Sequence, residues 1–178
     1  MTSGKRRLLA PEVLDAAADF VIQAARREGV TVALAGGYAL QMHGSPRLTG
    51  DVEEVADGAI AALPPGKRLS FGGYKSEAEG VPVDVIVRAD DFALLYQDAL
   101  VHASLIKGVP FIRPEYLAAM KLVAGRRTDL ADLAFLVGEE VIDLERTRAI
   151  VRQHLGPYAV KELNAFIEET LWRRDKEH

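Results

Sequence analysis

The chain has 178 residues, 49% of them apolar and 27% charged, with a net charge of −4 and no cysteine. That is enough for one domain, or one domain with a helical extension, around a full core. The weak negative balance argues against indiscriminate coating of nucleic acid while leaving room for a local basic groove, and the absence of cysteine excludes disulfides and thiolate metal sites.

Residues 1–9 read as a loose basic start. Lys5-Arg6-Arg7 is followed by only Leu8-Leu9-Ala10, too short an apolar stretch for a signal peptide. No apolar run approaches the roughly 18 residues of a membrane span, so no membrane partner and a cytoplasmic location are expected. Pro11 suits a first helical turn. Val13, Leu14, Ala17, Phe20, Val21, Ala24 and Ala25 then recur at helical spacing up to a stop at Gly29. Val32-Ala33-Leu34-Ala35 reads as a buried strand, followed by Gly36-Gly37 and a short amphipathic helix, Tyr38 to His43, which Gly44-Ser45-Pro46 breaks.

Arg47-Leu48-Thr49-Gly50 leads into Asp51-Val52-Glu53. On a strand, Asp51 and Glu53 point to one face while Val52 enters the core. Two carboxylates so close repel each other unless a cation lies between them. A Gly-Gly helix start exposes backbone N–H groups suited to phosphate.

Beyond this stretch, Ala59–Leu63 predicts a short helix and Pro64-Pro65-Gly66 a turn. Arg68–Gly72 and Tyr74–Glu79 predict two strands reversing at Gly72-Gly73. Val81 to Val87 is a β-branched strand with Asp84 in its middle, where a lone carboxylate is costly unless it is paired or faces a polar cleft. Asp90–Val101 predicts a helix and His102–Phe111 a short hairpin. Helices then start at Pro114, after Thr128 and at Asp143, and a last one spans about Val160 to Trp172 before a frayed end. Strands before residue 112 and helices after it predict an α+β fold. Its mixed sheet, with flanking helices, spans 1–112, and a C-terminal helical region spans 113–178.

Gly36-Gly37, thirteen intervening residues and Asp51-Val52-Glu53 resemble the motif of the nucleotidyltransferase superfamily, the DNA polymerase β-like fold. The fuller string is most similar to bacterial AbiEii-like and other small nucleotidyltransferases. The resemblance implies a nucleotidyltransferase core and a helical region closing the cleft. Asp51, Glu53 and Asp84 are implied as catalytic and metal-binding residues for Mg²⁺ or Mn²⁺. Asp51 and Glu53 then take the cation on the triphosphate side, and Asp84 completes a second position and helps take the acceptor proton. Gly36, Gly37, Arg47, Thr49, Lys121 and Arg126 are implied as nucleotide-binding, with Asp129 and Asp132, one helical turn apart, holding the basic groups.

The implied partners are an NTP, an acceptor hydroxyl on RNA, protein or a small molecule, and a cognate antitoxin if the role is toxin-like. Two positions depart from the commonest pattern. Glu53 stands where Asp is usual, and Glu54 follows where an apolar residue is usual. An alternative is a degenerate member that binds nucleotide or a partner without catalysis. A dinucleotide-binding domain is disfavoured, because the Gly-Gly lacks the third glycine of that fingerprint.

Overall fold

The computed structural model describes residues 8–177, and the chain divides into two compact units after Ile112. The basic start at Lys5-Arg6-Arg7 and the terminal His178 lie outside the described residues.

The first unit begins with α1 (Pro11–Glu28). Proline opens it, and Gly29 closes it in the left-handed conformation (φ 71°), its N–H turned back to the carbonyls of Ala25 and Arg26. Its buried stripe of Leu14, Ala17, Ala18, Val21, Ile22, Ala24 and Ala25 lies against the sheet, whereas Val13 is exposed. The sheet comprises β1 (Val32–Ala35), β2 (Val52–Ala56), β3 (Tyr74–Ala78), β4 (Val81–Ile86), β5 (Ser104–Ile106) and β6 (Val109–Phe111), in the order β3-β4-β2-β1-β6-β5. The pairs β1–β2, β3–β4 and β5–β6 run antiparallel, and β2–β4 and β1–β6 run parallel. Both hairpins turn on two residues of positive φ, Glu79-Gly80 and Lys107-Gly108, the geometry that matches strand twist. Two helices complete the unit, α2 (Gly36–Met42) directly after β1 and α3 (Ala93–Val101).

Three local expectations fail here. Ala59–Leu63 is a turn, not a helix: Ile60 and Leu63 are buried as plugs from a loop, so their apolar character reflects packing rather than periodicity. Arg68–Gly72 forms only a single bridge, Arg68 to Tyr74, because the chain reverses on itself from Leu69 to Gly73. Finally, α3 starts at Ala93, later than expected, since Asp90 spends a carboxylate oxygen on the Phe92 N–H and shapes the turn before the helix.

The second unit is helical, with α4 (Pro114–Ala124), α5 (Arg127–Gly138) and α6 (Leu144–Glu177) packed through Leu117, Leu133, Leu136, Val151 and Leu163. Gly156 (φ 86°, ψ 176°) and Pro157 interrupt α6, as a residue lacking a backbone donor must. The expected fraying after Trp172 does not occur. The helix continues to Glu177, with Arg174 donating to the Gly138 carbonyl and to Glu140. The fold is thus α+β, a mixed sheet with flanking helices followed by a helical region.

Candidate functional site

Four strands bring one row of side chains together. Ala35 on β1 is the register partner of Glu53 on β2, Glu53 of Asp84 on β4, and Asp84 of Lys75 on β3. Register partners share a face of the sheet, so Glu53, Asp84 and Lys75 stand side by side. Asp51 comes just before β2, and one carboxylate oxygen from each of Asp51, Glu53 and Asp84 lies within 4.8 Å of the others. Asp51 and Asp84 are buried and Glu53 is half-buried. Thr49 Oγ1 donates to Asp51 Oδ1 at 2.8 Å, and Lys75 Nζ sits 2.9 and 3.1 Å from the two oxygens of Asp84. Three hard oxygen donors around one small volume match the ligand preference of Mg²⁺ or Mn²⁺.

The glycines that precede this row are needed for space. Gly36 has φ 62°, and a Cβ built on it would lie 1.5 Å from Glu53 Oε2. A Cβ on Gly37 would come within 3.0 Å of Thr49 and 3.1 Å of an Arg47 guanidinium nitrogen. The structure therefore gathers Gly36, Gly37, Arg47 and Thr49 around the acids. Gln41 Nε2 fixes the intervening loop by donating to the Arg47 carbonyl at 2.9 Å. Tyr38 takes no part, because its hydroxyl donates to Asp15 on α1. Burial, then that bond, push its phenol well above the ordinary range. His43 ends α2 with a ring nitrogen 3.3 Å from the Ile112 carbonyl. Sequence reasoning missed Lys75: its only signal is a basic residue within the strand predicted at Tyr74–Glu79, and the contact with Asp84 appears only once the β3–β4 pairing is known.

Glu54, expected to break the apolar alternation of β2, instead points to the opposite face. It is fully buried, in register with Leu34 and Val85. Neither of its carboxylate oxygens has a hydrogen-bond partner among the described residues. Burial pushes its carboxyl up to about 8, so it stays protonated at neutral pH.

In the helical unit, Lys121, Asp129 and Asp132 are buried together. Lys121 Nζ lies 3.0 Å from Asp129 Oδ1 and 2.8 Å from Asp132 Oδ2, and Arg126 Nε reaches Asp129 Oδ2 at 2.6 Å. The buried part of this group is not the solvated surface network that charge spacing alone would allow. Burial by itself would raise Asp129, but the hydrogen bonds from Arg126 and Lys121 outweigh it and hold the carboxyl below its ordinary value.

A cavity of about 330 Å³ in the first unit lies elsewhere, lined by Val55, Ala56, Tyr96, Leu100 and Val101 among others and by none of the three acids. Arg88 at its wall is already bound to Asp90 and stacked on Phe71, Phe92 and Tyr96.

No protein-family model matches the sequence, and no curated protein sequence matches it. Solved structures match in fold. JHP933 from Helicobacter pylori is 16% identical with a TM-score of 0.50, the match covering 95% of this chain and 96% of that one. A second H. pylori protein, provisionally described as a nucleotidyltransferase, is 14% identical with a TM-score of 0.50, the match covering 96% of this chain and 99% of that one. At such identities the likeness establishes a nucleotidyltransferase-like fold.

Proposed function

We propose that this chain is a metal-dependent nucleotidyltransferase of the small AbiEii-like kind. It moves a nucleoside monophosphate from an NTP to a hydroxyl of RNA, protein or a small molecule, in a toxin-like role answered by a cognate antitoxin. One observation carries the nucleotidyl-transfer part of this reading: Asp51, Glu53 and Asp84 converge to within 4.8 Å directly behind Gly36-Gly37; the AbiEii-like kind, the toxin-like role and the antitoxin rest on the family resemblance alone. Acids gathered this tightly need positive charge, and the glycines leave the backbone open to a phosphate chain.

In the reaction, the acceptor oxygen bonds to the α-phosphorus as the bond from that phosphorus to pyrophosphate breaks, and the hydroxyl proton passes to Asp84. Asp51 and Glu53 would hold the cation, Mg²⁺ or Mn²⁺, and Asp84 would complete a second position. A divalent cation bound there offsets phosphate charge and acidifies the acceptor hydroxyl. Thr49 orients Asp51 through its 2.8 Å hydrogen bond. Arg47 beside Gly37 suits the triphosphate.

The test is incubation with Mn²⁺ and each of four labelled NTPs, with total RNA, total protein and an aminoglycoside panel as acceptors. Wild type is expected to label one acceptor class and Asp51→Asn none. The alternative, a nucleotide- or partner-binding protein without transfer, is favoured by one contact, Lys75 on both oxygens of Asp84. It expects NTP binding with no labelled acceptor from the wild type.

A further inference from the structure

Lys75 is held by its backbone and loose at its head. On the outer side of β3 its N–H donates to the Lys67 carbonyl at 2.8 Å, and its own carbonyl accepts from Gly66 N–H at 2.8 Å. On the inner side it pairs with Asp84. Its Cα therefore cannot drift from that carboxylate. The ammonium, on a flexible four-carbon stem and with the side chain 47% exposed, meets both Asp84 oxygens. An ion pair open to solvent on one side is weak enough to break and re-form. Any further cation seeking Asp84 meets an ammonium already there.

We propose that Lys75 is a built-in monovalent cation that competes with divalent metal for Asp84. It limits the metal-only protein to one tightly held ion, at Asp51 and Glu53. When the ammonium swings out, Asp84 becomes free for a second ion and for the acceptor proton. Lys75 is on this account a positioning residue that sets when the site is complete. The inference rests on the metal-dependent reading above.

The test uses the full chain and Mn²⁺ alone, counted by electron paramagnetic resonance and titration calorimetry without nucleotide. Melting temperatures in EDTA check that each variant is folded. Wild type is expected to bind one Mn²⁺ tightly. Lys75→Met and Lys75→Gln should bind a second ion on the order of tenfold more tightly than wild type does, because the competing charge is gone. Lys75→Arg, which keeps the charge and offers a fork that grips a carboxylate harder, should bind that second ion no better than wild type or more weakly. It tests the same idea should the neutral variants fail to fold. Identical Mn²⁺ number and affinity in wild type, Lys75→Met and Lys75→Gln would overturn the proposal while leaving the metal reading intact, as would an Arg variant that binds the second ion more tightly. A wild type that binds Mn²⁺ no better than Asp51→Asn would sink the metal reading, and this inference with it.

Discussion

Glu54 and Asp129 are both acids withdrawn from water, and the molecule treats them in opposite ways. Glu54, in the sheet of the first unit, has no hydrogen-bond partner for either oxygen among the described residues and is kept neutral by burial. Asp129, in the helical unit, is gripped by Lys121 and Arg126 and kept ionised. Burial of a carboxyl is thus no sign of function by itself; the partners decide whether it is a neutral filler or a charge that organises others. The Asp51–Glu53–Asp84 group is a third case, in which three acids from one face of the sheet converge to within 4.8 Å of one another. Of the three, that is the arrangement that invites a cation.

The sharpest break between these cases is a pair of substitutions on opposite faces of β2. Asp51→Asn keeps shape and removes a charge from the triad, and is expected to lower nucleotidyl transfer by about 10³-fold or more. Glu54→Gln should leave the rate within a few-fold of wild type, because that side chain faces away from the triad. Steady-state labelling of the acceptor under Mn²⁺ reads both. Equal losses would show that the two faces are not functionally distinct.

Next in size is the paired side of the comparison. Lys121→Met withdraws the ammonium shared by two buried aspartates, and breaking such a buried pair costs about 3–5 kcal/mol. Denaturant unfolding monitored by circular dichroism should show it. A loss under about 1 kcal/mol would mean that the cluster behaves like a surface network.

The unpaired side shows itself through pH. Glu54 titrates at about 8 when folded, against 4.5 as its ordinary value, so between those limits the folded state holds a proton that the unfolded state has released. Its contribution to stability is therefore full below pH 4.5, falls as pH rises, and is fully lost above pH 8, a loss of about 3 kcal/mol by pH 7. Asp129 runs the other way: its contribution is present above its ordinary value and is lost as pH falls through the depressed folded value. Glu54→Leu should flatten the alkaline fall and leave the acid one. A wild type whose stability is flat from pH 5 to 8 would contradict the burial account.

Much of the triad was legible because strand alternation is local. An Asp-x-Glu pair shows one face by spacing alone, and a lone Asp84 within Val81–Val87 stands out against β-branched neighbours. Lys75 was missed because its strand was expected to reverse against Arg68–Gly72 at Gly72-Gly73, whereas the two-residue turn at Glu79-Gly80 pairs it with β4 and sets it opposite Asp84. Glu54 looked like a flaw in alternation, yet β2 lies between β1 and β4, and a strand with both faces used does not alternate cleanly. The Lys121, Asp129 and Asp132 spacing was visible, but its burial was not, since helix charges alone read the same in water or in a core. Ile60 and Leu63 misled for the same reason, as apolar residues that plug a core from a loop.

The smallest expected effect tests whether backbone shape positions the acids. Gly29 and Gly36 both have positive φ, 71° and 62°, so alanine at either strains the chain by about 1–2 kcal/mol. Their surroundings differ. A Cβ at Gly29 meets nothing within 4 Å, whereas one at Gly36 falls 1.5 Å from Glu53 Oε2 and 2.5 Å from its carboxyl carbon. Gly29→Ala is therefore expected to lower stability by that strain alone and leave Mn²⁺ binding unchanged. Gly36→Ala should lower stability by that amount or somewhat more, because the Glu53 carboxylate can turn aside but its Cβ, 3.0 Å from the new methyl, must shift with the strand, and the turned carboxylate can no longer join Asp51. Mn²⁺ affinity should then drop several-fold in Gly36→Ala only. Were both variants to bind Mn²⁺ like wild type at matched stability, Glu53 would not be a ligand, and the cation would rest on Asp51 and Asp84.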